Sequence, residues 1–307
     1  MPRSSPHDSP GGARRGESGI MQVVDLEAAE HSWEVCPGVV VHGYAFSSQV
    51  PGPTIEAAVG DTLLVRFSNQ THQPIAIHWD GLPEPLSDAR RVANAVAPGG
   101  VIEYRLQLLS SGTFWYHSQV PPTDQEPHGL YGVLIVRDPD QTDLDGDRVL
   151  VIGEMQAAWF RQPTCPVPID LDGHGPGGYV LLVNGASQPR MGIGAGDRER
   201  WRLVNATRGR NFELSLDGRP FALITSQNGL LASSVTVHEV VMRPAERLEL
   251  AVGPFAAEET VLLDALPHGP NEYSASRRRL ATFQVGQPGK QVVPSSTSAA
   301  PLDSVQS

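Results

Sequence analysis

Residues 60–69, GDTLLVRFSN, return in altered form as residues 196–205, GDRERWRLVN. Each stretch opens on a glycine and an acidic residue, runs on as a strand and stops at an asparagine. Thr62 to Phe67 is the clearer strand of the two, with Asp61 and Asn69 marking its ends. Recurrence of such a unit points to duplication of one fold. Around the first copy, Val101 to Leu109 sets apolar Ile102, Tyr104, Leu106 and Leu108 against polar Glu103, Arg105 and Gln107, the period of a half-buried strand. Trp33 to Ala45 alternates loosely, and Pro74 to Trp79, Thr113 to His117 and Gly132 to Val136 add further strands. About seven strands is the usual complement of a sandwich.

Around the second copy the strands expected are Val149–Glu154, Tyr179–Val183, Phe212–Leu216, Phe221–Thr225, Val235–Met242, Arg247–Val252, Thr260–Leu263 and Leu280–Val285. The sequence therefore predicts an all-β protein of two sandwich domains, at 23–140 and 147–287. Between them, 141–146 belongs to an acidic, turn-rich linker that lacks the twelfth-position glutamate and the flanking helices of a calcium loop. Residues 1–22 and 288–307 are polar and rich in Gly, Pro or Ser, the composition of disordered ends. Pro83 to Gly100 reads as a loop with one turn of helix near Leu86–Ala93.

Composition narrows the function classes. Thirty-four acidic residues against 23 basic give a formal charge of -11, which repels phosphates and anionic lipid. No nucleic acid partner is expected. No run approaches the length of about 18 apolar residues that a membrane span needs. Arg14-Arg15 is followed by no apolar segment, so the expected location is cytoplasmic. Cys36 and Cys165, each followed by proline, form no CxxC or Cys/His cluster; one disulfide is allowed and nothing requires it. There is no Gly-rich phosphate loop, no GxSxG nucleophile and no Cys/His dyad.

Two stretches carry the chemistry, IHWDGL at 77–82 and GTFWYHSQ at 112–119. His78 and Asp80 stand at i and i+2 of one strand, His117 and Gln119 at i and i+2 of another, so each pair shares a face. On neighbouring strands the four groups would meet. His78, Asp80 and His117 offer two imidazoles and a carboxylate, a set that suits non-haem iron with open positions. It equally suits zinc with a bound water of lowered pKa. Gln119 would orient a bound water, and His128, with Glu126 close by, would supply a further ligand or a base. Trp79, Trp115 and Phe114 read as core or cleft wall, His72 as exposed, His238 as a strand-surface residue, His174 and His268 as loop residues, and Arg277 to Arg279 as a solvated edge.

These motifs resemble the multicopper oxidases, which are strings of cupredoxin domains. QVPGPTIEAAVGD at 49–61 is similar to the opening of that family's first domain, and GLYGVLIV at 129–136 to its close. IHWDGL stands where the family has His-Trp-His-Gly, and GTFWYHSQ where it has a tyrosine followed by His-Ser-His. VNG at 183–185, RWRLVNA at 200–206 and RPAERLELAV at 243–252 resemble the ligand-free second domain. The resemblance implies two cupredoxin-like Greek-key β-sandwich domains. It places His78 at a type 2 copper ligand, and Asp80, His117 and Gln119 at three histidines of the binuclear pair. Neither cysteine adjoins a histidine, whereas a blue copper needs a thiolate with two imidazoles.

The resulting expectation is a chain with no blue copper and no trinuclear cluster, holding one mononuclear ion (Cu, Fe or Zn) on His78, Asp80 and His117. It would be a metal-dependent oxidoreductase acting on a small organic substrate by oxidation or rearrangement, with a biosynthetic role. The family's trimeric members imply a homo-oligomer whose neighbouring subunit covers the cleft. The alternative is a non-catalytic, metal-free scaffold, as in the family's copper-free members that act in division, or one subunit of a split oxidase.

Overall fold

The computed structural model describes residues 19–82, 95–119, 129–141, 144–156, 169–170, 179–226, 229–267 and 277–286. Its described part is built of twenty strands in two sandwiches, each of two facing sheets. In the first, β1 (Met21–Cys36) pairs antiparallel with β2 (Val39–Phe46) and parallel with β4 (Thr62–Asn69), and β4 pairs antiparallel with β6 (Val101–Gln107). The opposite sheet has the order β3 (Ile55–Ala58), β8 (Tyr131–Arg137), β7 (Gly112–Ser118), β5 (Ile77–Asp80), with β3 and β8 parallel. Alternation drives the packing. Leu63, Val65 and Phe67 of β4 point inward and meet Ile77, Trp79, Tyr116 and Leu134 from the facing sheet.

The second sandwich repeats this plan. β9 (Gly146–Gln156) runs parallel to β13 (Glu199–Asn205), which pairs antiparallel with β18 (Arg247–Val252). That sheet is extended by β11 (Tyr179–Val183) and β10 (Ile169–Asp170) on one side and by β15 (Phe221–Ser226) and β16 (Gly229–Val237) on the other. The facing sheet has the order β12 (Arg190–Gly194), β20 (Arg278–Gly286), β19 (Thr260–Leu266), β14 (Phe212–Ser215), β17 (Glu239–Met242). Trp201, Leu203, Leu214, Leu263 and Phe283 fill its core.

The asparagines that close β4 and β13 do the same work in both. Asn69 is fully buried, donates to the carbonyls of Gln73 and Val96, and accepts from the Thr71 amide and hydroxyl. Asn205 is likewise buried, donates to the carbonyls of Arg210 and Met242, and accepts from the Thr207 amide and hydroxyl. A carboxamide can hold a chain reversal this way because it presents an acceptor and two donors at once. The duplication thus extends to individual hydrogen bonds.

The sandwiches are joined through buried charge as well as apolar contact. β13 alternates Trp201 and Leu203, facing its own core, with Arg200 and Arg202, facing the first sandwich. Glu249 of β18 accepts from both guanidiniums, at 2.7 and 2.8 Å, and from the Thr113 hydroxyl of β7 at 2.6 Å. Arg202 also grips Asp147 with two hydrogen bonds. Burial pushes the Asp147 carboxyl up, but Arg202 and Arg137 outweigh it and hold the group below the usual carboxylate range. Trp33, Val35, Cys36, Val39 and Val41 of the long β1–β2 hairpin pack on Met155, Val180 and Leu182.

Several expectations change. The loosely alternating stretch Trp33–Ala45 is parts of two strands, reversed at Pro37-Gly38, where Gly38 has φ of 80°. Val235–Met242 divides at His238, where the chain leaves one sheet for the other, and His238 Nδ1 contacts the Gly218 carbonyl at 2.8 Å. Arg277 and Arg279 do not lie free along an edge; both pair with the fully buried Asp264. Cys36 is disulfide-bonded, a bond the sequence allowed without requiring. The helical turn near Leu86–Ala93, the loop residues His174 and His268, the second cysteine Cys165, and most of the terminal segments lie outside the described residues.

Candidate metal centre

The site is assembled by the pairing of β5 with β7. In that antiparallel ladder His78 is directly opposite His117, and Asp80 is opposite Trp115. The intervening residue of each strand faces the core: Trp79 and Tyr116 pack together there with ring centroids 5.3 Å apart. The Tyr116 hydroxyl donates to the Pro53 carbonyl, and burial raises its pKa above the ordinary phenol value. Alternation then sends His78, Asp80, Trp115 and His117 to the other face. The imidazoles meet edge to face, with centroids 5.2 Å apart and planes at 88°. Trp115 lies beneath His117 at 4.0 Å, nearly parallel, as part of the apolar seam between the sandwiches.

His78 Nε2 stands 3.9 Å from Asp80 Oδ2, and one donor atom from each of His78, Asp80 and His117 lies within 4.8 Å of the others. Donors that share a zinc-sized ion sit about 2.0–2.2 Å from it, hence no more than roughly 4.4 Å apart. The three donors are spaced slightly wider than one ion would draw them, close enough to make them candidates for a shared ion. His117 is buried, whereas His78 and Asp80 are partly exposed.

Sequence reasoning missed a fourth participant. Arg247, the first residue of β18, reaches across from the second sandwich and donates from Nη1 to the Asp80 carbonyl at 2.7 Å and to Asp80 Oδ1 at 3.2 Å. Its guanidinium lies over the Phe114 ring, 5.7 Å from the centroid. Burial lowers the Arg247 pKa, an effect opposed by the negative charge of Asp80. The one signal available was its place in RPAERLELAV, which carries no indication of a contact with the first sandwich.

Among the residues expected at the site, His78, Asp80 and His117 come together. Gln119 is one residue past the end of β7 and is exposed, with its amide donating to the Ala76 carbonyl. His128 and Glu126 lie outside the described residues.

A pair of Greek-key sandwiches with an imidazole pair on the inter-domain face defines a cupredoxin-like protein. Residues 28–141 match the family model described as multicopper oxidase, and the chain is multicopper-oxidase-like in sequence and fold. It is 31% identical over 231 residues to cell division protein FtsP of Proteus mirabilis, covering 71% of this chain and 48% of that protein. It is 26% identical to laccase-2 of Cryptococcus neoformans, covering 74% of this chain and 44% of that one. A multicopper oxidase of Pseudomonas thermotolerans superposes with a TM-score of 0.74 at 26% identity, over 94% of this chain and 70% of the other. The chain spans about half the length of the curated relatives it matches.

These relatives overturn the expected cytoplasmic location, because the FtsP proteins are periplasmic or membrane-associated. The expectation rested on the lack of an apolar segment after Arg14-Arg15, and a missing segment carries no information about compartment. The disulfide at Cys36 agrees with the correction, since such bonds persist mainly in oxidising compartments.

Proposed function

We propose that this protein binds a single metal ion on the face between its sandwiches, through His78, Asp80 and His117, and that the partly exposed side of the site admits a small organic molecule. The observation that carries this reading is the directly opposed imidazole pair with a carboxylate in reach, all donors within 4.8 Å. An ion there would act as a Lewis acid or, if redox-active, as an electron-transfer centre. The chain's own part is to hold the two imidazoles edge to face, to stack His117 on Trp115, and to hold Asp80 beside Arg247. Gln119, exposed just past the end of β7, is the residue we assign to contact with what enters.

The test is elemental analysis of protein purified without a metal-binding tag, followed by titration with Zn2+, Cu2+ and Fe2+. Near one equivalent in the wild type, and loss of it in His78→Ala/His117→Ala, are the results expected. Protein that stays metal-free through all three titrations sinks the proposal.

A second reading has its own support. Asp80 already has a cationic partner in Arg247, and the FtsP relatives are named for cell division rather than oxidation. Under that reading the chain is a metal-free scaffold, and the imidazoles are inherited residues with no ligand.

A further inference from the structure

The proposed ligands all come from the first sandwich, yet the carboxylate among them is held by the second. The contact is built from three sides. Asp80 presents both its carbonyl and Oδ1 to Nη1 of Arg247. The Phe114 ring supplies a platform under the guanidinium, a favourable arrangement for a desolvated cation. Gly81 supplies the space: it has φ of 87°, and a Cβ there would fall 1.6 Å from Arg247 Nη1. Any other residue at 81 would collide with the guanidinium as well as strain the backbone. Two residues on, Glu249 anchors the same strand to Thr113 of β7, so the base of the Arg247 side chain is fixed as well.

The two carboxylate oxygens of Asp80 therefore have different neighbours. Oδ1 faces Arg247 at 3.2 Å, and Oδ2 faces His78 Nε2 at 3.9 Å. We infer that Arg247 is a positioning residue for the metal site, which fixes Asp80 so that Oδ2 alone is turned to the ion and thereby makes the site dependent on the contact between the two sandwiches. This rests on the metal-binding reading above. Arg247 is itself buried at the seam, so it acts through Asp80 and does not touch what binds at the partly exposed side.

Position and charge predict opposite outcomes. A guanidinium that acted only by its charge would repel a cation, so its removal would tighten binding. A guanidinium that orients the ligand loses its value when removed, and supporting partners of metal ligands typically account for about 10–100-fold in affinity.

The experiment is titration of the wild type, Arg247→Lys, Arg247→Met, Asp80→Asn and the double variant Asp80→Asn/Arg247→Met with Co2+, followed by calorimetry and the visible spectrum of the bound ion. Melting curves confirm that each is folded. Positioning predicts about 10–100-fold weaker binding in both single Arg247 variants, a changed cobalt spectrum, and no further loss in the double variant beyond Asp80→Asn. Binding by Arg247→Lys equal to wild type, or tighter binding by Arg247→Met, overturns the inference and leaves the metal site standing. A wild type that binds no Co2+ overturns both. Should Arg247→Met fail to fold, the lysine variant and the Asp80→Asn spectrum decide alone.

Discussion

Each sandwich contains the same local design, and the two have been put to different use. After its buried asparagine, the first runs through IHWDGL and the second through ELSLDGR, so that Asp80-Gly81 and Asp217-Gly218 occupy matching turns. Leu82 N bonds back to Trp79 O, and Arg219 N to Leu216 O. The strand before each turn pairs antiparallel with an inner neighbour, which sets His78 opposite His117 in one case and Ser215 opposite Asp264 in the other. In the second sandwich Arg277 bridges Asp217 and Asp264, and Arg279 closes on Asp264 from the other side. The acids there are answered by guanidiniums of their own sandwich.

In the first sandwich the opposed pair is two imidazoles, and the lone acid is answered from the neighbouring sandwich. Imidazoles can present nitrogen lone pairs at neutral pH, and guanidiniums cannot. The same backbone thus yields an ion-paired knot where it carries Asp and Arg, and a donor cluster where it carries His. The comparison also tempers Asp80: an acid before this glycine recurs in both halves, each with an arginine partner, so its presence is not by itself a sign of metal ligation.

The comparison can be broken at several points. The largest effect is expected in the second sandwich, at the buried pair of Glu154 with Arg210, which meet at 2.7 Å beside the Asn205 corner. Glu154→Ala leaves Arg210 buried without its carboxylate and should cost about 3–5 kcal/mol in urea denaturation. A loss under about 1 kcal/mol would show that this corner is not held by charge.

Next in size is the response to metal. Zn2+ at 100 times its dissociation constant should stabilise the wild type by about 2.7 kcal/mol. His117→Ala should abolish this shift and Ser215→Ala should leave it intact, since among the described residues the donor cluster lies in the first sandwich. Equal shifts in both variants would erase the distinction between the halves.

Asn69→Ala and Asn205→Ala test the likeness instead. Each strips a corner of its carboxamide and should cost about 2 kcal/mol. A difference of more than about 1.5 kcal/mol between them would mean that the corners are alike in geometry only.

The smallest effect concerns pH. The Asp61 carboxyl is held below its usual range, chiefly by the Ala58 amide; burial, the next largest influence, opposes this, and the Ile20 amide and the Gln22 side chain add to the lowering. A carboxyl with depressed folded-state pKa stabilises above its unfolded value, near 4, and loses that contribution as pH falls through the folded value. Acid titration of stability should therefore be flatter for Asp61→Asn than for wild type below about pH 4. Parallel acid limbs would remove Asp61 from the set of groups that hold the start of β4.

The fold was largely legible because strands declare themselves locally. Alternation along Thr62–Asn69 and Val101–Gln107, and the repeated glycine-acid opening, are properties of neighbouring residues. The long β1 was harder, since its outer end alternates for the sake of the other sandwich and its partner β2 follows after only two residues. At the site, i and i+2 spacing was enough to place His78 with Asp80 on one face. The pairing register that sets His78 against His117 was not contained in either motif.

By itself, then, the sequence determined the all-β class, the two-fold repetition and the residue types available for chemistry, because these depend on short-range periodicity and side-chain identity. Only the tertiary structure decided that Arg247, 167 residues from Asp80, meets that residue, that Arg277 and Arg279 are bound up with Asp264, and that Arg200 and Arg202 converge on Glu249. Buried charges choose partners by proximity in space, and a guanidinium on a strand gives no local sign of which carboxylate it will meet.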